Sequence, residues 1–530
     1  MRKTIISLCI LALAGASAYA QGAYEALLFG ENNYLGTARS AAMGNAFTAL
    51  GGDLGSVGIN PAGSAVNGYS QVTFTPGLSI YGSSTSYDGA GVNRDSRVRG
   101  SFPNVGAMLN FNTHRTSGLK RVSFGFVMNA TSIYTRDFTG MGSTDRSSYM
   151  GYLADYATRY NIPASELNGN ISNMQYMSDW PAGLGYQSGM VNEATGIAGP
   201  PYLSPVQDNI GGTYPMRGAI DQTYGIFDKG RKFDMVFNLG FDISDVLFFG
   251  ANLGIIGLNL TRNEYLRETA VNPADFPVLT EGLPDQFQGM KFSYDYRASG
   301  AGIYGKFGLI VRPFDGLRIG AAIQTPTATD IRERRWMDAS VTFRDADGKA
   351  SSPDYDYEYR LRTPARYNFG IAYTIGSAGL ISLDYELTNF GKSRYRELHS
   401  NDNSGWTDAN SDIQKALYTA HYIRVGAEFK PIANFALRAG YNLAMTPQVS
   451  TYGFGGFMAG YAQDRAKTNI VSFGLGYSSN SSFFCDFALR CKINPEEFYY
   501  PYESYASAVS PEFSVRSRLW DALLTIGFRF

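Results

Sequence analysis

From about residue 70 onward, apolar and polar positions alternate with a period of two. Ile381, Leu383, Tyr385 and Leu387 alternate with Ser382, Asp384, Glu386 and Thr388. Phe233, Met235, Phe237, Leu239 and Phe241 alternate with Asp234, Val236, Asn238, Gly240 and Asp242. The same pattern runs through 122–128, 367–375, 422–429, 434–441 and 471–477. Successive side chains of a strand point to opposite faces, so each run predicts a strand with one apolar face and one polar or small face. Fourteen such segments are expected, at about 71–83, 100–113, 119–137, 230–244, 246–265, 290–312, 316–340, 354–376, 379–393, 414–430, 433–450, 466–479, 481–497 and 513–530.

Their connections alternate in length. Short ones fall at 114–118, 244–245, 313–316, 376–377, 430–433 and 480–481, and long ones at 84–99, 138–229, 266–289, 341–353, 394–413, 451–465 and 498–512. A soluble sandwich has no reason to gather its tight turns at one end. An outer-membrane barrel has short turns on the periplasmic side, long loops outside and an even strand number. In lipid every backbone group needs an internal partner, so the sheet must close. The expected fold is all-β: a 14-stranded antiparallel transmembrane β-barrel. Its apolar set faces lipid, and Asp234, Asp242, Asp384, Glu386, Arg424, Arg438 and Arg529 face the lumen. In the last strand Trp520, Ala522, Leu524, Ile526 and Phe528 form the apolar set, and the chain ends on Phe530. This ending resembles the signal read by the outer-membrane barrel assembly machinery, which is therefore an expected partner.

The N-terminus adds export. Arg2 and Lys3 precede an apolar run over 4–16, and Ala18-Tyr19-Ala20 fits the small-x-small rule, so cleavage is expected after Ala20. The run is too short to stay as a membrane helix. The mature chain keeps Cys485 and Cys491, which on one strand would lie about 20 Å apart at about 3.3 Å per residue, and unpaired thiols are favoured.

Composition agrees. Among 530 residues, 17% are charged, 14% are aromatic and 60 are glycine, with a net charge of −1. Near-neutrality excludes a basic nucleic-acid surface. Low charge with a mean hydropathy of −0.18 is what alternate lipid-facing and lumen-facing positions average to. Three scattered histidines (His114, His399, His421) give no metal or catalytic centre, and no cofactor is expected.

Residues 22–68 do not alternate. The segment 38–50 reads as a helix capped by Thr37 and ended by Gly51-Gly52. About 50 small, weakly polar residues are too few for a domain and suit a plug folded inside the barrel; the division is 1–20 signal, 21–69 plug, 70–530 barrel. The run 36–44 followed by Asn60-Pro61-Ala62-Gly63 resembles the N-terminal hatch of the FadL/TodX transporters of long-chain fatty acids and aromatic hydrocarbons. That resemblance implies a fourteen-strand barrel with a gating hatch that includes Asn60, Pro61 and Ala62. It further implies passive uptake of hydrophobic small molecules, with release through a lateral gap at a kink in an early strand. The setting is the outer membrane of a Gram-negative-type bacterium, among its lipid and lipopolysaccharide, as a monomer.

The second outer loop is very long. A helix is expected over 147–161, and Met150, Tyr152, Tyr156, Met174, Met177 and Trp180 are candidate contacts for an apolar ligand. Soft, polarizable methionine surfaces suit promiscuous apolar binding; the same side chains also suit a simple lid. Gly300-Ala301-Gly302-Ile303-Tyr304-Gly305 fits G-x-G-x-x-G but lies in a strand pattern, so the dinucleotide reading fails its context. Asp384 and Glu386 share a strand face without other catalytic groups, and no enzyme is expected. A rival reading is a barrel like the PorV shuttle of type IX secretion, which docks secreted protein cargo.

Overall fold

The computed structural model describes residues 22–194, 201–208, 214–280, 282–449, 451–452, 462–479, 482–504 and 508–530. The signal segment and its expected cleavage at Ala20 lie outside the described residues.

Fourteen strands close into one antiparallel barrel. They are β1 (Gln71–Tyr87), β2 (Ala90–Asn112), β3 (Leu119–Thr144), β4 (Ile220–Ile243), β5 (Leu247–Ala270), β6 (Leu283–Phe314) and β7 (Leu317–Gln324, then Thr327–Phe343). Next come β8 (Tyr355–Thr363, then Arg366–Ile375), β9 (Gly379–Asn389, then Arg394–Glu397) and β10 (Thr419–Ile432). The last four are β11 (Phe435–Val449), β12 (Ala462–Ser478), β13 (Phe483–Ile493, then Glu497–Tyr500) and β14 (Phe513–Arg529). Each pairs with its neighbours in sequence, and β1 pairs with β14 from Gln71↔Arg529 to Tyr87↔Phe513. Pro326 and Pro364 lie in the breaks of β7 and β8, because proline cannot donate to a ladder. The G-x-G-x-x-G run lies inside β6, as the alternation required.

Alternation explains the two faces. Phe237, Ile381, Leu383, Phe429, Leu475 and Trp520 are exposed on the outside. Asp234, Asp242, Asp384, Glu386, Arg424 and Arg438 are buried inside. Cys485 and Cys491 are both free thiols. The tight turns gather at one end, where Ser244 and Asp245 take φ of 58° and 57°. Such left-handed pairs match the twist of a hairpin. At that same end Ser70 and Phe530 exchange two backbone hydrogen bonds of 3.0 Å, so the plug leaves the lumen beside the chain's last residue.

Several connections differ from expectation. No open loop spans 84–99; β1 and β2 run on to Tyr87↔Ala90 and turn through Asp88 (φ 46°) and Gly89 (φ 76°). The 341–353 segment is likewise partly strand, with Asp347–Ser351 folded back onto β7. The long second loop is shorter than 138–229, because β3 extends to Thr144 and β4 starts at Ile220. In each case the strands continue past the apolar belt, where apolar residues such as Tyr87, Tyr224 and Val341 face inward and the polar-inside pattern no longer marks the strand.

Candidate functional site

The lumen is filled by the plug. Its first helix, α1 (Ala23–Gly30), leads into an extended stretch and a short helix, α2 (Ala38–Ala42). Thr37 caps α2 as expected, its side chain accepting from the Ser40 amide at 3.2 Å. The helix does not continue to residue 50: Gly44 and Asn45 take left-handed φ of 62° and 60° and turn the chain away. Two single 3₁₀ turns follow, Leu54–Gly58 and Pro61–Val66.

Wall side chains hold this chain by its backbone. A helix leaves its last carbonyls unpaired and slightly negative. Here Lys232 from β4 donates to the Phe29 carbonyl at 2.9 Å, and Arg366 from β8 donates to that of Gly30. Arg490 from β13 reaches the Tyr34 carbonyl at 3.2 Å. Lower down, the Thr48 amide donates to Asp384 at 2.7 Å. Arg39 pairs with Glu428 at 3.0 Å, and Glu428 also accepts from Arg438 at 2.7 Å. Glu428 thus has two opposite partners, and Arg366 pairs with Glu386 at 3.0 Å, since an uncompensated buried ion is costly.

Asn60-Pro61-Ala62 sits at the floor of the plug, fully buried at Asn60 and Ala62. The Asn60 side chain donates to the Thr48 carbonyl at 2.6 Å and accepts from the Ala62 amide at 3.0 Å. Pro61 opens the 3₁₀ turn, and its carbonyl accepts from Asn238 at 3.1 Å. Glycines of the wall make room. A β-carbon on Gly250, Gly308, Gly320, Gly426 or Gly440 would overlap the plug at Pro61, Asn60, Thr48, Met43 or Gly44 respectively. Part of the glycine surplus is thus a seat for the plug.

Above the plug lie the described residues of the second outer loop, 145–194, 201–208 and 214–219, here termed the lid. A helix, α3 (Tyr149–Arg159), starts on Ser148, close to the expected 147–161. Met150, Tyr152, Tyr156, Met174 and Trp180 are buried in one apolar cluster, with Met177 packed at its edge. Tyr156 donates to Asp179 at 2.8 Å, and burial pushes the Asp179 carboxyl above its ordinary range. The structure brings these six candidates together, and the same cluster continues down to Ala23, Ala26 and Phe29 of α1.

Pattern reading missed the stack that joins lid to plug. Trp180 meets Tyr355 with ring centroids 6.1 Å apart, and Tyr357 follows at 6.1 Å and Tyr359 at 6.3 Å. Tyr359 meets Tyr395 at 5.3 Å, and Tyr395 donates to the Gly22 carbonyl of the plug at 2.9 Å. The signal was the period-two run Tyr355, Tyr357, Tyr359, whose rings face inward where polar residues were expected.

The wall has a seam between β2 and β3. β2 lies opposite β1 from Met108 to the hairpin at Ala90, with two register shifts, yet it pairs with β3 only from Asn104↔Asn129 to Asn112↔Arg121. Pro103 sits just above the last rung, and β3 carries a bulge between Ala130 and Ser132. Above it, β3 follows β4, and among the described residues only side chains bridge to β2. Asn93 donates to the Thr139 carbonyl at 2.7 Å, and Asp95 accepts from the Thr139 amide at 2.7 Å. Arg99 donates to the carbonyls of Tyr134 (3.1 Å) and Asp228 (2.7 Å), and Arg97 pairs with Asp137. The bulge frees wall carbonyls toward the lumen. Those of Thr131 and Ala130 accept from the plug amides of Asn33 (2.5 Å) and Leu35 (3.2 Å).

No protein-family profile and no curated protein sequence matches the chain. Solved structures do. The toluene transporter TodX of P. putida is 13% identical, covers 93% of this chain and 98% of its own, and superposes with a TM-score of 0.50. A Pseudomonas aeruginosa FadL homologue is 12% identical, covers 94% of this chain and 99% of its own, also with a TM-score of 0.50. At these identities the likeness speaks for architecture, over nearly the full length of both chains. The chain has the plugged, fourteen-stranded barrel fold of the FadL/TodX hydrophobic-compound transporters.

Proposed function

We propose that the barrel is an outer-membrane channel for passive uptake of hydrophobic small molecules, gated by its N-terminal hatch. The observation that carries this reading is the hydrogen bonding of Asn33 and Leu35 to the bulge of β3. It ties the plug to a stretch where the wall lacks a backbone ladder. A straight aqueous pore offers an apolar molecule nothing, whereas a seam at the height of the apolar belt offers it lipid. Val98, directly beside the bridging arginines, lies opposite Ile80, which lies opposite the outward Trp520.

In this reading the molecule enters at the aromatic lid, where Met150, Tyr152, Tyr156, Met174, Met177 and Trp180 contact it. It then follows the tyrosine stack to α1. Displacing α1 and the stretch after it releases Ala130 and Thr131, and the seam opens beside them. Asn60, Pro61 and Ala62 stay on the glycine seat as the fixed base on which the upper plug moves. Phe530 serves as the assembly signal at the open end of β14. Fold likeness to a toluene transporter supports this reading and gives the cargo-docking alternative no support. Deleting residues 22–68 is expected to turn a closed barrel into a leaky one; unchanged conductance in planar bilayers overturns the gating role. Mass spectrometry of the small molecule retained after mild detergent extraction identifies the class carried.

A further inference from the structure

We infer that the outward face of β8 and β9, just above the apolar belt, is a docking surface for the phosphate of an outer-leaflet glycolipid. Two adjacent ladders carry opposite charge logic. Between β7 and β8 the outward charges are matched rung by rung. Asp330 lies opposite Arg360, Arg332 opposite Glu358, and Arg334 opposite Asp356. The pairs close at 2.6, 3.4 and 2.7 Å.

Between β8 and β9 the charges are mismatched. Arg360 lies opposite Arg396, and Arg362 lies opposite Arg394. Like charges directly across a ladder destabilise it. Arg360 is occupied by Asp330, and Arg394 turns back to donate to the carbonyls of Gly391 (2.8 Å) and Ser393 (2.6 Å). Arg362 and Arg396 are exposed, and among the described residues neither has a carboxylate or a hydrogen-bond acceptor. Across β7, Arg362 faces only Ala328. The nearby carboxylate Glu358 is already shared by Arg332 and His399, each at 3.4 Å. Two free guanidiniums thus stand beside two occupied ones, and the adjacent carboxylates Asp330 and Glu358 are both engaged elsewhere.

Position supplies the partner. The inward neighbours Tyr359, Leu361 and Tyr395 are fully buried, so the four arginines point away from the lumen. Five residues below Arg362, the outward Tyr367 begins the apolar run Tyr367, Phe369, Ile371, at a height difference of about 15 Å along the strand. Aromatic side chains mark the interface of a transmembrane barrel, so the tile stands at headgroup height on the loop side. Planar guanidinium forks match phosphate oxygens two at a time. A phosphorylated glycolipid brings that anion on acyl chains that lie against the belt below, which a dissolved phosphate does not.

The inference rests on the outer-membrane reading of the barrel. The test uses the full-length protein extracted in mild detergent from fractionated envelopes, as wild type, as Arg362→Gln/Arg396→Gln, as Arg362→Lys/Arg396→Lys, and as the matched-pair control Arg332→Gln/Glu358→Gln. Heat-modifiable gel mobility confirms that each is folded. Lipid A retained per barrel is measured by mass spectrometry, and affinity is measured by titration with lipid A micelles, dephosphorylated lipid A micelles and inorganic phosphate. The expected result is a fall of about tenfold for the glutamine pair, as loss of two solvent-exposed charge contacts implies. The lysine pair falls less, the control stays unchanged, and dephosphorylated lipid A binds all forms equally weakly. Equal retention by wild type and the glutamine pair overturns the docking surface while leaving the outer-membrane reading intact. Binding of inorganic phosphate as tight as that of lipid A overturns the glycolipid as occupant. A chain that fractionates away from the outer membrane overturns both readings.

Discussion

The side-chain oxygen of Asn60 in the plug occupies the space that a β-carbon on Gly308 of the wall would need. The same asparagine bonds Thr48 and Ala62, so a crowded position and a satisfied one coincide. Asn60→Ala is expected to leave the buried Thr48 carbonyl short of a donor, at a cost of about 1–3 kcal/mol. Gly308→Ala forces the plug off its seat and is expected to destabilise by a similar amount. Combined, the two substitutions partly relieve each other, because the alanine on the wall enters the space the asparagine leaves and Pro61 still crowds it. A double-mutant cycle on thermal unfolding reads this as a coupling of restoring sign. Strict additivity would mean the two residues do not share that space.

A second prediction concerns the lid anchor. Glu268 on β5 accepts from Ser148 Oγ at 2.5 Å, from the Tyr149 amide at 2.7 Å and from Gln222 at 2.8 Å. It caps the start of α3 with a carboxylate, where the free amides and helix dipole favour one. Glu268→Ala leaves three buried donors without their acceptor and is expected to loosen the lid by about 2–3 kcal/mol. Limited proteolysis with mapping of the cut sites checks this. Faster cleavage confined to 145–219 is expected, with the barrel itself untouched.

A third follows from Asp179, whose burial raises its carboxyl above the ordinary 3.8, partly offset by the hydroxyl of Tyr156. Between the ordinary and the raised value the folded lid holds more protons than the unfolded one. Lid stability therefore rises as pH falls through that window and is lost as pH rises out of it. Lid cleavage is expected to slow as pH is taken from about 7 toward about 4, by the linkage above. Asp179→Asn keeps an acceptor for Tyr156 and should abolish the pH dependence; an unchanged profile assigns it to another group.

These positions show what a single sequence reveals. All fourteen strands were legible, because lipid on one face and a filled lumen on the other impose strict alternation. The plug was legible as a segment that refuses to alternate, and Thr37 as a cap, since caps are local. The length of α2 was not: nothing before the fold is known says that Gly44 and Asn45 turn left-handed against Gly440. The grip of Lys232, Arg366 and Arg490 on α1 and its exit joins residues hundreds of positions apart. The seam was hidden for another reason. Residues 90–103 of β2 are paired on one side only, and that asymmetry leaves no mark in the hydrophobic pattern.

The seam yields the last prediction. Arg97 is half exposed, so its pair with Asp137 contributes about 0.2–1 kcal/mol. The hydrogen bonds of Arg99 and Asn93 to wall carbonyls add about 1–3 kcal/mol each. A few kcal/mol thus hold a stretch that has no backbone ladder to β3, which makes it a part of the wall that opens at low cost. Arg97→Ala/Arg99→Ala is expected to widen the opening and speed entry of a hydrophobic tracer into cells, with ionic conductance little changed because the plug stays seated. Joining Arg97→Cys to Asp137→Cys with a short bis-maleimide, in a chain whose Cys485 and Cys491 are serine, should have the reverse effect and reduce tracer entry to background. Uptake that persists through a fully cross-linked seam would place the exit elsewhere, with the plug's own path to the short-turn end as the remaining route.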